Sequence, residues 1–320
     1  MFLLPLALLM TSPRIDGSVI SQLKSEVAAI QPLIKSKLAR DWLAGVDQLK
    51  EPAKRVVYRG ADGDFISESA AKALSDKDRD AMKRVELSPE FYYYTKYGTP
   101  LAYVRIWDLA AANGLTELKG KAVADYGYGG VGQLQLSALM GAKAVGIDVD
   151  SLLPALYSEP SDAGTIGGGF VQMVNGFWPA GDGIAAKVGG GYDLFISKNT
   201  LKRGYVHPER AANPKYLINL GVTDEEYLTA VYKALNPGGM FIVYNLSPAQ
   251  NPPDKEFLPM ADGRFPFDRA LSEKVGFQVL SFDVNDDEFA RKMGFAYGWG
   301  TTEELQTSIF AHYTILKKPI

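Results

Sequence analysis

The stretch KAVADYGYGGVGQLQLSALMGAKAVGIDVD, residues 121–150, decides the fold. Ala122, Val123 and Ala124 open it as a short apolar run, and Gly127, Gly129, Gly130 and Gly132 make a glycine-rich turn. A helical segment follows, and a second apolar run ends on Asp148 and Asp150. The pattern reads as strand, loop, helix, strand. A backbone that turns sharply off a strand needs positive φ angles and room for a ligand to approach, and glycine supplies both. An acid some twenty residues past the first glycine stands at the tip of the second strand, where it can accept both hydroxyls of an adenosine ribose. The unit therefore predicts a site for an adenosine-containing cofactor.

Outward from this unit, strand and helix signals alternate. Residues 170–174 form an apolar run that ends in Asn175-Gly176, and YDLFIS (residues 192–197) reads as a buried strand. An amphipathic helix over residues 223–235 stops at Asn236-Pro237-Gly238-Gly239, ahead of a strand over 240–244. Two β runs, 277–284 and 309–316, end the chain; the spacing predicts an antiparallel edge strand. Repeated βα units predict an α/β fold with a mostly parallel sheet covered on both faces. Upstream, residues 18–50 carry apolar positions three or four apart and predict one or two helices with a break at Pro32. RVVYRGADGDF predicts a small hairpin, residues 67–85 a charged exposed helix. Tyr92, Tyr93, Tyr94, Tyr97 and Tyr103 crowd a Gly-Thr-Pro turn just before the glycine unit, as core or as a lid over it.

Composition narrows the function classes. At 320 residues and 47% apolar, the chain affords one large domain or two modest ones. A formal charge of −3 argues against a broad nucleic-acid-binding face. Without cysteine there are no disulfides, thiolate metal sites or cysteine nucleophiles, and two histidines, His207 and His312, are too few for a histidine-built zinc site. Residues 2–10, FLLPLALLM, match a signal-peptide core in length and fall short of the ~20 residues that span a bilayer. They lack a basic leader and a clean cleavage site, so two readings stay open: an export signal, or an apolar arm on a cytoplasmic protein.

By letter, Gly127-x-Gly129-x-x-Gly132 also satisfies the dinucleotide fingerprint. Asp125, two residues before the first glycine, tells against it, since a carboxylate there would repel a pyrophosphate. The chain resembles instead the class I S-adenosylmethionine-dependent methyltransferases. Asp125-Tyr126-Gly127-Tyr128-Gly129-Gly130 is similar to that family's acidic, glycine-rich first motif, with Val131 where a third glycine is common. Val145-Gly146-Ile147-Asp148 resembles its second strand, Tyr192-Asp193-Leu194-Phe195-Ile196-Ser197 its fourth, and Leu235-Asn236-Pro237-Gly238-Gly239 the turn before its fifth. Val275-Gly276-Phe277 and two strands match its ending.

The resemblance implies a Rossmann-like, doubly wound, seven-stranded sheet with an antiparallel C-terminal strand over residues 115–320, capped by an N-terminal helical region, 18–114, after the apolar leader or arm of 1–17. It implies S-adenosylmethionine as cofactor, with Asp125 and the backbone of Gly127, Gly129 and Gly130 at the methionine end, Asp148 on the ribose, and Asn175 and Gly176 at the adenine edge. The loop after the fourth strand, at the sheet edge where ligands of open α/β sheets bind, offers Lys198, Asn199, Lys202 and Arg203 to a small-molecule acceptor with an anionic group. Tyr205 and His207 are its candidate bases. A non-catalytic binding protein of the same fold and a nicotinamide oxidoreductase are the alternatives, and the acceptor and the oligomeric state are left open.

Overall fold

Strands β4 (Ala122–Tyr126) and β5 (Lys143–Asp148) run parallel at the centre of the main sheet, joined through the glycine turn and the buried helix Gly132–Leu139. The computed structural model describes residues 17–320; the leader or arm falls almost wholly outside them. Residues alternate between the two faces of the strands, as a period of two demands. Val123, Leu194, Ile196 and Ile242 point into one apolar layer, and Ala124, Phe195, Phe241 and Val243 into the other.

Among the described residues the sheet contains eight strands. Beyond β5 lie β7 (Gly169–Asn175), parallel, and a short antiparallel β6 (Gly164–Ile166) at the edge. On the other side of β4 come β8 (Tyr192–Lys198) and β9 (Leu235–Ser247), both parallel, then β11 (Phe310–Lys317) and β10 (Gln278–Asn285). Seven strands form the doubly wound sheet expected from sequence; the eighth, β6, folds back on β7 through Gly167-Gly168, a hairpin too short to stand out as a β run.

The final strand is antiparallel, as expected, but it does not lie at the edge. It sits between β9 and β10 and pairs with both. Nor does its direction come from a short link, because residues 286–309 hold the helices Asp287–Ala296 and Thr302–Ser308. The chain leaves β10 one place out from β9, and β11 returns into the gap with Ala311, Ile315 and Leu316 buried.

N-terminal to the sheet, helix α1 (Val19–Ile30) ends in a 3-10 turn with Pro32 at its start, and α2 (Lys37–Ala44) follows. The predicted hairpin forms as β1 (Arg55–Arg59) and β2 (Phe65–Ser67). The single charged helix does not form. Ser67 and Ser75 each accept a hydrogen bond from the backbone three residues on and start separate short helices, Glu68–Lys72 and Asp76–Asp80. Val85 lies in β3 (Lys83–Leu87), which pairs with β1. Helix α3 (Arg105–Ala112) follows the tyrosine segment. Trp42 and Trp107 pack against each other in the layer that contains Val123 and Ile242, so α1, α2 and α3 share a core with one face of the sheet.

Tyr92, Tyr93 and Tyr94 are struts of that core. Their hydroxyls donate to buried Asp162, to the carbonyl of Lys50 and to buried Glu26, satisfying groups that would otherwise be costly to bury. Among the described residues no helix is long and apolar enough to cross a membrane, and no three His, Asp or Glu side chains group as metal ligands.

Candidate functional site

The strand tips at the carboxyl edge of the sheet bring together Asp125, the glycine turn, Asp148, Asn175 and Gly176. After β4 the chain builds outward through β5 and β7, then returns to build β8 and β9 on the other side, so β4 and β8 border the crevice at the topological switch point. Gly127 and Gly129 have φ of 73° and 61°, which favours glycine. Space demands it as well. A Cβ on Gly127 would stand 1.9 Å from Thr200 Oγ1, and one on Gly129 would stand 2.8 Å from the Tyr97 ring. In this structure the closest groups over these glycines are the chain's own side chains.

Asp148 ends β5 beside that turn. Its carboxylate accepts backbone N–H groups from Gly129 at 3.1 Å, Val149 at 2.8 Å and Asp150 at 3.0 Å. Burial pushes its carboxyl up, and these bonds pull it back. Three of a carboxylate's roughly four acceptor positions are thus used to hold the turn. Asn175 stands opposite Asp148 in register and donates to the carbonyl of Asp150 at 3.1 Å, while the Gly176 N–H donates to the Asp148 carbonyl.

Val149, directly after β5, is 53% exposed, and Phe177, two residues after β7, is 58% exposed. Sequence reading passed over both, although an apolar residue just beyond Asp148 and beyond Asn175-Gly176 was a visible signal. It also passed over Thr200. Of the five tyrosines, Tyr97 covers the turn at Gly129, and Tyr93 packs against it at Gly130 and Gly132. Tyr97 is 39% exposed, and its phenol is pushed up, first by burial and then by the charges of Asp148 and Asp150.

Across the crevice, Lys198 at the end of β8 meets Asp125 at the end of β4. The ammonium lies 2.5 Å from both carboxylate oxygens, with the two residues 5% and 1% exposed. Burial raises the Asp125 carboxyl and Lys198 opposes it. Asn199 follows at φ 55°, unusual for a residue with a side chain. It is held there from both ends, its amide donating to the Tyr103 hydroxyl at 2.6 Å and its Oδ1 accepting from the Leu246 N–H at 2.7 Å.

The other basic side chains of the loop find partners within the chain. Lys202 is 0% exposed, and its ammonium donates to the carbonyls of Leu246 at 2.5 Å and Met260 at 2.9 Å, away from any acceptor. Burial pushes it down to about 7, against the pull of Asp262. Arg203 stays half-buried with Glu209 at 4.0 Å, and exposed His207 pairs with Asp224 at 2.9 Å. Burial raises the Tyr205 phenol, which makes it a poor base near neutral pH. The loop is clamped by residues 248–264: a Cβ on Gly204 would stand 2.1 Å from the Pro259 carbonyl, and Arg210 donates to the carbonyls of Pro253, Lys255 and Asn251.

Five parallel strands in the doubly wound order, with an antiparallel last strand set between β9 and β10, match the sheet that the sequence resemblance implies. The chain has the fold of the class I S-adenosylmethionine-dependent methyltransferases. No family model matches the chain, and no curated protein matches it. Similar solved structures include the [4+2]-cyclase SpnF, at 12% identity over 97% of this chain and 98% of that one, with a TM-score of 0.40. The cyclopropane synthase MmaA2 from Mycobacterium tuberculosis is similar at 12% identity over 71% of this chain and 88% of that one, TM-score 0.40. Phosphoethanolamine N-methyltransferase 2 from Haemonchus contortus, in complex with phosphomonomethylethanolamine and S-adenosylhomocysteine, is similar at 14% identity over 75% and 63%, TM-score 0.39.

Proposed function

We propose that this chain binds S-adenosylmethionine at the tips of β4, β5 and β7 and transfers its methyl group to a small-molecule acceptor. The observation that carries the reading is the Asp148 carboxylate, oriented by three backbone N–H groups beside a glycine turn at the switch crevice. The residues fit an adenosine. Exposed Val149 and Phe177, just beyond the tips of β5 and β7, offer an apolar seat for a flat base, and Asp148, with one acceptor position left, would take one ribose hydroxyl rather than both. In this reading residues 115–320 are the cofactor-binding unit and 18–114 its cap.

When bound, the cofactor supplies a methyl group already activated on a sulfonium. The chain's part is to align the partners and exclude water, with Tyr97 and Thr200 closing over the glycine turn. A base is needed only for an acceptor that carries a proton at attack. Among the loop candidates Lys198 and Lys202 are buried, so an anionic acceptor group would meet Arg203 and His207.

A non-catalytic binding protein of the same fold is favoured by one observation, the internal partners of Lys198, Lys202 and His207. The oxidoreductase reading is weakened by β11, which departs from the all-parallel dinucleotide order. Calorimetry with S-adenosylmethionine, S-adenosylhomocysteine and NADPH separates the three, followed by a methyl-transfer screen. Asp148→Ala is expected to weaken binding of the first two by about 1.5–3 kcal/mol. Unchanged affinity removes Asp148 from the site, and binding of NADPH alone reverses the reading.

A further inference from the structure

The Asp125–Lys198 pair has hydrogen-bonding capacity that the protein does not use. An ammonium has three N–H donors and a carboxylate about four acceptor positions. Among the described residues, both bonds of the Lys198 ammonium go to Asp125, and Asp125 receives bonds only from Lys198. The Lys198 ammonium also stands 5.9 Å from the centre of the Tyr103 ring. Two charges taken out of water are compensated only when their remaining valences are also met, and here one N–H and the outer lone pairs are not.

The pair bridges the tips of β4 and β8, on either side of the switch crevice and next to Gly127. Asn199, pinned at positive φ between Tyr103 and Leu246, fixes the backbone directly after Lys198, so the lysine is set in place before any ligand arrives. A buried ion pair with one open position on each partner is complementary to a zwitterion, whose cation would meet the carboxylate and whose anion would meet the ammonium.

Building on the cofactor reading above, in which the resemblance already puts Asp125 at the methionine end, we propose that Lys198 completes a dipolar seat there by taking the cofactor's α-carboxylate. Lys198 is then a donor-specificity residue of the cofactor site rather than an acceptor contact. Thr200 and Tyr97, which stand over Gly127 and Gly129, form the outer wall of the seat.

The test is calorimetry of the full chain with S-adenosylhomocysteine, its decarboxylated counterpart, and 5′-methylthioadenosine, which lacks the amino-acid end. The wild-type chain is expected to prefer S-adenosylhomocysteine over the decarboxylated compound by roughly tenfold or more, the scale of one hydrogen bond between charged groups. In the neutral double variant Asp125→Asn/Lys198→Met that preference disappears, while 5′-methylthioadenosine binds as to wild type and reports an intact adenosine site. A wild-type chain indifferent to the carboxylate, or a double variant that keeps the full preference, overturns the assignment of Lys198 and leaves the cofactor reading standing. Failure of all three compounds to bind wild type overturns both. Indifference of the wild-type chain to the carboxylate overturns the assignment even if the double variant does not fold.

Discussion

Two stretches share the carboxyl edge of the sheet and treat their polar groups in opposite ways. At the tips of β5 and β7, side chains organise backbone: Asp148 gathers three N–H groups, Asn175 reaches the Asp150 carbonyl, and apolar Val149 and Phe177 are left facing solvent. In the loop after β8, charges are turned on one another and on carbonyls, and the surface that results has little free charge. Counting charged letters in a loop therefore measures its field poorly. What matters is whether the fold gives each charge a partner before a ligand can.

The largest effect that would sharpen this contrast comes from Lys198→Met, which strands the Asp125 carboxylate in the interior. Urea unfolding is expected to show a loss of about 3–5 kcal/mol, most of it recovered when Asp125→Asn is added. A single variant as stable as wild type would mean that the pair is solvated and the contrast between the two stretches false.

Next is Lys202. Its folded value near 7 lies below the ordinary lysine value, so between them the unfolded chain holds a proton that the folded chain lacks. Stability from this group therefore rises as pH climbs from about 7 toward about 10.4, and is lost as pH falls through that window. Wild type should gain on the order of 3 kcal/mol relative to Lys202→Met between pH 7 and pH 9.5. Parallel stability curves for the two proteins would instead mean that the Leu246 and Met260 carbonyls keep the amine charged.

A smaller effect belongs to the other stretch. Phe177→Ala removes an exposed ring, so its melting temperature should scarcely move, while binding of S-adenosylhomocysteine weakens by about 1 kcal/mol. Loss of stability without loss of affinity would make Phe177 a packing residue. The smallest effect is expected from Arg203→Ala. With Glu209 at 4.0 Å, its removal should change stability by no more than about 0.5 kcal/mol. A larger change in thermal unfolding would reveal a stronger clamp in this loop than its geometry indicates.

Much of the fold was legible because it rests on local periodicity. The βα alternation, the Asn236-Pro237-Gly238-Gly239 turn, the hairpin at Asp62-Gly63 and the break at Pro32 each follow from residues adjacent in the chain. The elements misread were those whose state depends on a distant partner. KRVEL is a strand because β1 lies beside it, β6 exists because β7 offers an edge, and β11 is interior because β10 leaves a gap.

By itself, the sequence determined that a glycine turn flanked by Asp125 and Asp148 would stand at the tips of central parallel strands, because periodicity and turn chemistry act within a few residues. The tertiary structure alone decided what those acids and the nearby lysines touch. Asp125 and Lys198 lie 73 residues apart and meet only once β4 and β8 are paired, and Lys202 finds the Leu246 carbonyl on β9 and the Met260 carbonyl only when residues 248–264 fold over it. Electrostatic partners are chosen by distance in space and by burial, neither of which is written in the spacing of letters.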